Sequence, residues 1–287
     1  MTNKRFQILQ LLGLLLLALL ISFNTFATVN LPKHSPVPGG IAVVDLPSST
    51  QPPAVFYRGN RVLVTGSEQT GWHAITGIAL KATPGTHHIQ LGNGQKIAFN
   101  VKPKTYKEQR ITLTNKRQVN PAPMDLERIG REKKVMVAAF KHWNDQLTPS
   151  LTLLKPVQGP YSSPFGLKRF FNDQPRNPHS GLDIAAAEGS PIQAPAKAIV
   201  AATGDYFFNG KTILLDHGQG LISMYCHLSE INVTKGDIVD TKDIIGQVGK
   251  TGRVTGPHLH WSVSLNNARI NPFLLMPDKP DILESSE

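Results

Sequence analysis

The sequence predicts a mostly β protein: an immunoglobulin-like β-sandwich on the N-terminal side, a linker helix, and a second β-rich unit that carries the chemistry. Three observations point there. Short runs rich in β-branched and aromatic residues recur between turn signals such as Gly59-Asn60, Pro84-Gly85 and Gly92-Asn93-Gly94. One stretch alone, Pro121–Asn144, changes to a helical period. Finally, 24 glycines and 22 prolines favour turns and short strands over long helices. The 287 residues suffice for two modest domains.

Taken in order, residues 1–27 read as a signal peptide. Lys4 and Arg5 precede an almost unbroken apolar run from Ile8 to Phe23, with small Thr25 and Ala27 at the −3 and −1 positions. The run is shorter than the roughly 20 apolar residues of a membrane span, so export with cleavage is expected, most naturally into a periplasm. An uncleaved signal would leave the chain membrane-anchored. No cysteine lies near residue 27, which excludes lipidation there.

Residues 36–105 are the sandwich, with strands expected at Ile41–Val44, Val55–Tyr57, Arg61–Val64, Trp72–Leu80, His88–Leu91 and Ile97–Val101. Its histidines His73, His87 and His88 are isolated and read as surface or cross-strand residues. Residues 106–150 form the linker. Its helix has an apolar face of Leu126, Ile129, Met136, Phe140 and Trp143, with Arg128, Arg131, Lys133, Lys134 and Lys141 around the rest. Residues 151–277 return to β patterning, with strands at Ala198–Ala202, Lys211–Leu215, Leu221–His227, Ile238–Val239, Ile244–Gly246 and His258–Leu265; residues 278–287 are a tail.

The formal charge is +10, or +8 once Lys4 and Arg5 leave with the signal, which suits a polyanionic neighbour. Export excludes nucleic acid and leaves an envelope polymer. A single cysteine, Cys226, rules out a disulfide framework and any multi-thiolate zinc cluster.

The polar residues that could do chemistry gather in the last third, in His179-Ser180-Gly181-Leu182-Asp183, Tyr225-Cys226-His227 and His258-Leu259-His260. Catalytic zinc takes about three N or O ligands and keeps a position open for water. His179, Asp183 and one of His258 and His260 would supply them. Residues two apart on a strand share a face, so His258 projects with His260, and Tyr225 with His227. Two histidines beside the metal but not bound to it fit a general base and a transition-state donor. His217, at a turn, reads as structural, and Cys226 as a small buried hydrophobe facing away from Tyr225 and His227.

The chain resembles the lysostaphin/LytM-type zinc metallopeptidases of bacterial cell walls over roughly residues 158–275. The resemblance rests on Ser163-Pro164-Phe165-Gly166, the three clusters above with Leu228, Val233-Thr234-Lys235-Gly236-Asp237, and the Gly-rich stretch from Gly249 to Trp261. It implies an antiparallel β-sheet groove closed by loops, with one Zn2+ per chain on its floor. It also implies His179, Asp183 and His260 as metal ligands, His227 and His258 as the catalytic pair, and Tyr225 lining the groove. Peptidoglycan peptides are the implied substrate, with envelope proteins as further partners of the N-terminal sandwich. The family commonly has glycine where this chain has Lys242, a departure that touches only hairpin geometry. The competing reading is a non-hydrolytic envelope protein that binds wall and regulates another hydrolase. Missing ligands would mark it, and none is missing here.

Overall fold

A computed structural model describes residues 30–277; the signal expected at 1–27 and the tail at 278–287 lie outside the described residues. Among the described residues no helix is long and apolar enough to cross a membrane. Seven strands come first: β1 (Ile41–Asp45), β2 (Val55–Tyr57), β3 (Asn60–Arg61), β4 (Leu63–Ser67), β5 (Gly71–Gly77), β6 (Gly85–Leu91) and β7 (Lys96–Val101). They form two sheets, β1-β5-β4 and β3-β2-β6-β7. Alternation makes them pack: Ala42, Val44, Val64 and Ala74 of one sheet share a core with Val55, Tyr57, Ile89 and Val101 of the other.

The connecting segment holds β8 (Glu108–Ile111), a single helical turn α1 (Lys116–Val119) and the long helix α2 (Pro123–Lys141). Pro123 opens α2 at a position where its missing N–H costs nothing. The expected face holds at Ile129, Met136, Phe140 and Trp143 and fails at Leu126. Leu126 is 56% exposed, while Asp125 is buried. The Asp125 carboxylate accepts from Arg117 Nε at 2.7 Å and from the Ala122 backbone N–H at 3.0 Å. Those bonds hold it inward, and Leu126 turns to solvent while Ala139 and Phe140 remain buried.

The remaining strands are β9 (Tyr161–Ser163), β10 (Lys168–Phe171), β11 (Gln174–Pro175), β12 (Leu182–Ile184), β13 (Pro191–Gln193), β14 (Ala198–Tyr206), β15 (Gly210–Asp216), β16 (Ile222–Ile231), β17 (Ile238–Val239), β18 (Ile244–Val248), β19 (Leu259–Leu265) and β20 (Ala268–Ile270). The backbone of the large sheet runs β17-β14-β15-β16-β19-β12-β9, all antiparallel. One face is apolar: Leu182, Ile184, Ile213, Leu215, Tyr225, Trp261 and Val263 form the main core, which also takes in Ile41, Leu63 and Ile75 from the sandwich. Asn266 clasps the two parts together, accepting from the Gly77 N–H at 2.6 Å and donating to the Gly77 carbonyl at 3.0 Å. The opposite face is divided. Leu214, Ile222, Met224 and Cys226 lie beneath Ala139 and Phe140 of α2, and Asp183 and His260 sit further along it, cross-strand partners of each other.

Candidate functional site

Register explains why these side chains meet. Cross-strand partners project to the same face, so the pairings Asp183 with His260 and Cys226 with His260 place all three residues on the face away from the main core. Gly181 lets β12 lie against β19: a Cβ there would stand 2.5 Å from the Trp261 carbonyl oxygen. His179 enters from the loop before β12, pinned by its backbone N–H on the Leu167 carbonyl.

His179 Nε2, Asp183 Oδ1 and His260 Nδ1 converge. The distances are 2.9 Å from His179 to Asp183, 2.7 Å from His260 to Asp183, and 3.0 Å between the two ring nitrogens. His179 Nδ1 lies 2.7 Å from the Pro164 carbonyl. A carbonyl only accepts, so Nδ1 holds the proton, and Nε2 turns a lone pair toward the carboxylate. Burial pushes His179 down to about 4, against the pull of Asp183, so the ring is neutral near pH 7. Burial alone would raise the Asp183 carboxyl, but the polar rings of His179 and His260, 2.9 and 2.7 Å away, hold it well below the usual carboxylate range. Lone pairs of a neutral imidazole and a carboxylate 2.9 Å apart repel unless a cation lies between them. This donor set suits a divalent metal that accepts N and O ligands.

Beside it stand His227 and His258, ring centroids 5.0 Å apart, with His227 at 6.1 Å from His260. His227 Nδ1 donates to the Thr251 carbonyl and His258 Nδ1 to the Gly256 carbonyl, both at 2.9 Å. Each ring therefore carries its lone pair on Nε2. Burial, with His260 and His258 nearby, pushes His227 down to about 3.

The expected sharing of a face by Tyr225 and His227 does not occur. Tyr225 is fully buried in the main core, so it does not line the groove. The cause is a β-bulge: the β15–β16 register steps from Ile213–Tyr225 to Lys211–Leu228, one extra residue on β16. His227 has φ +69°, and this left-handed residue reverses the alternation and sends the ring to the Cys226 and His260 side. Cys226 is buried as expected, its thiol pushed up to about 12, but on the same face as His227.

One participant escaped the sequence reading. Arg169 of β10 donates from Nη2 to Asp183 Oδ2 at 2.9 Å, leaving Oδ1 for the convergence point. Its Nε donates to Gln109 Oε1 at 3.0 Å, and β8, which carries Gln109, pairs in parallel with β10. Ser262, 2.9 Å from His260 Nε2, continues the alternation of His258 and His260 and was findable from it.

Residues 177–272 match the model of Peptidase family M23, and residues 34–104 match that of the Peptidase family M23 N-terminal domain. A crystal structure of a Pseudomonas aeruginosa protein assigned to peptidase M23 is 45% identical at a TM-score of 0.72, covering 85% of this chain and 96% of that one. The chain belongs to peptidase family M23. Among curated M23-like relatives, the DD-carboxypeptidase/endopeptidase Mpg of Neisseria meningitidis is 32% identical over 126 residues, 44% of this chain and 29% of that protein. The peptidoglycan DD-endopeptidase ShyA of Vibrio cholerae is 37% identical over 94 residues, 33% of this chain and 22% of that protein. The chain thus spans less than a third of the length of these curated relatives. In this M23 chain Lys242 has φ +76°, a conformation glycine adopts freely, which accounts for the family's preference at that hairpin.

Proposed function

We propose that this chain is an exported zinc metalloendopeptidase that hydrolyses peptide bonds, cross-links among them, in peptidoglycan. The convergence of His179, Asp183 and His260 on one point, beside two histidines with free Nε2 atoms, carries the proposal. The peptidoglycan DD-endopeptidase ShyA among the relatives supports the substrate class.

His179 Nε2, Asp183 Oδ1 and His260 Nδ1 are the atoms that would hold zinc. Bound there, zinc supplies a polarised scissile carbonyl and a water acidified to a pKa near about 7. One of His227 and His258 takes the proton of the attacking water on Nε2 and later hands it to the leaving amine. The other, when protonated, donates to the developing oxyanion. The Thr251 and Gly256 carbonyls keep both rings in the tautomer this requires. The N-terminal sandwich shares the main core and so is fixed to the unit that holds the site, as either a positioning module on the wall or a cover over the groove requires.

The test is muropeptide release from isolated sacculi with metal analysis of the same samples. His179→Ala and Asp183→Ala should lose stoichiometric zinc and release together. His227→Ala should keep its zinc and lose about 10²–10⁴-fold in rate. Full release by a zinc-free ligand variant overturns the mechanism; wild-type protein that binds sacculi without releasing anything favours the regulator reading.

A further inference from the structure

Arg169 and Arg176 lie close enough for their charges to act on Arg253, and of the three only Arg169 meets a carboxylate among the described residues. Arg169 is engaged by Asp183. Arg176 donates to the Val119 carbonyl at 2.9 Å and to Gln174 Oε1 at 2.6 Å. Arg253 has its guanidinium 4.6 Å from the Phe171 ring centroid and 4.4 Å from that of Phe208. Among the described residues its one side-chain hydrogen bond is a long 3.3 Å contact to the Gln118 carbonyl. Among the described residues neither Arg176 nor Arg253 has a carboxylate within ion-pair distance.

The elements that hold Arg253 are those that build the site. It lies in the loop between Gly249 and His258, two residues after the Thr251 carbonyl that fixes His227. Phe171 is two residues from Arg169 on β10, and so shares its face. Phe208 precedes Asn209, whose carbonyl accepts the His227 backbone N–H. Burial, and after it the neighbouring charges of Arg169 and Arg176, pull Arg253 down to about 10. A guanidinium stacked between two rings is held in place with its N–H edge still free to grip a carboxylate. Aromatic contact relieves part of its desolvation but supplies no counter-ion. Among the described residues folding leaves this cation without a carboxylate, in the same loop as the Thr251 and Gly256 carbonyls that orient His227 and His258.

We infer that Arg253 is an anion-binding subsite of the groove, taking a free carboxylate of the substrate peptide and selecting anionic over neutral peptides. This deepens the proposed function and rests on it for the identity of the substrate.

The test uses the full-length zinc-loaded protein and two cross-linked muropeptides that differ only in whether the peptide side-branch carboxylate is free or amidated. The expected result is at least about a tenfold preference in kcat/KM for the free acid. Arg253→Gln should remove it through KM, leaving the amidated substrate and the zinc content unchanged, and Arg253→Lys should restore part of it. In parallel, a non-scissile peptide with a free carboxylate is titrated by NMR against wild type and Arg253→Gln. Equal losses on both substrates, no acid preference in wild type, or equal peptide affinity in the two proteins would overturn the subsite. If wild type cleaves neither substrate, the proposed function fails, and the titration still decides whether Arg253 binds the anion.

Discussion

Tyr225 O–H, Ser223 Oγ and His217 Nε2 form a buried chain of contacts at 2.8 and 2.7 Å. His217 Nδ1 donates to the Lys197 carbonyl, so its Nε2 accepts. The direction follows: Tyr225 donates to Ser223, and Ser223 to His217. Tyr225→Phe should therefore cost about 1 kcal/mol of stability, with zinc content and kcat/KM unchanged; a raised KM would return the ring to the groove. Arg169 predicts differently. Removing its charge with Arg169→Met strands Asp183 Oδ2 without a partner and should weaken zinc affinity or activity about 10–100-fold, read by chelator competition. Spacing alone paired only His258 with His260; His179, which enters from the loop before β12, and His227, turned by its left-handed backbone, were assigned together with Asp183 through the family resemblance. Tyr225 was misread because alternation assumes an unbroken strand, and a single left-handed residue broke it. Arg169 was not legible at all: its partner in position, Gln109, lies 60 residues earlier and meets it only through strand pairing.

Elements behaved unevenly. The long strands β14, β15, β16 and β19 announce themselves through continuous apolar or alternating runs, as their burial shows. The strands of three or four residues, β9, β10 and β12, were not foreseen, although β12 carries Asp183 and β10 Arg169. Short strands give too few residues for a period to show. The helix and most of its inward face were foreseen, but in its first turn the Arg117–Asp125 pair puts Asp125 inward in place of Leu126. Phe140 is where α2 is anchored. It is buried among Leu214, Ile222 and Met224 and lies beneath the Arg269 guanidinium, 3.1 Å from its ring centroid. Phe140→Ala should cost about 3–5 kcal/mol, measured by urea unfolding, and should leave the candidate metal-binding residues in place, since they lie on β12, β19 and the loop before β12.

Over the whole molecule, acid stability should track buried neutral histidines. His217 is fully buried, and burial pushes it down to about 4. The unfolded chain, at about 6.5, binds the proton more tightly, so the contribution is complete above that value and is lost as pH falls through 4, on the order of 3 kcal/mol. Urea midpoints at pH 7 and pH 4 should differ less in His217→Gln than in wild type; equal differences would show that His217 does not drive the loss. The two-part architecture was legible from turn spacing, whereas its rigidity was not, because a core shared by Ile41, Leu63, Ile75 and the large sheet is built from residues no local pattern links. The parallel seam of β8 against β10 bears on any attempt to shorten this chain. A cut near residue 151, where the composition changes, falls downstream of β8. A fragment starting there has lost Gln109 and the strand that steadies Arg169, while one starting just upstream of Glu108 retains both, so the smallest useful truncation keeps the segment that looked like mere tether.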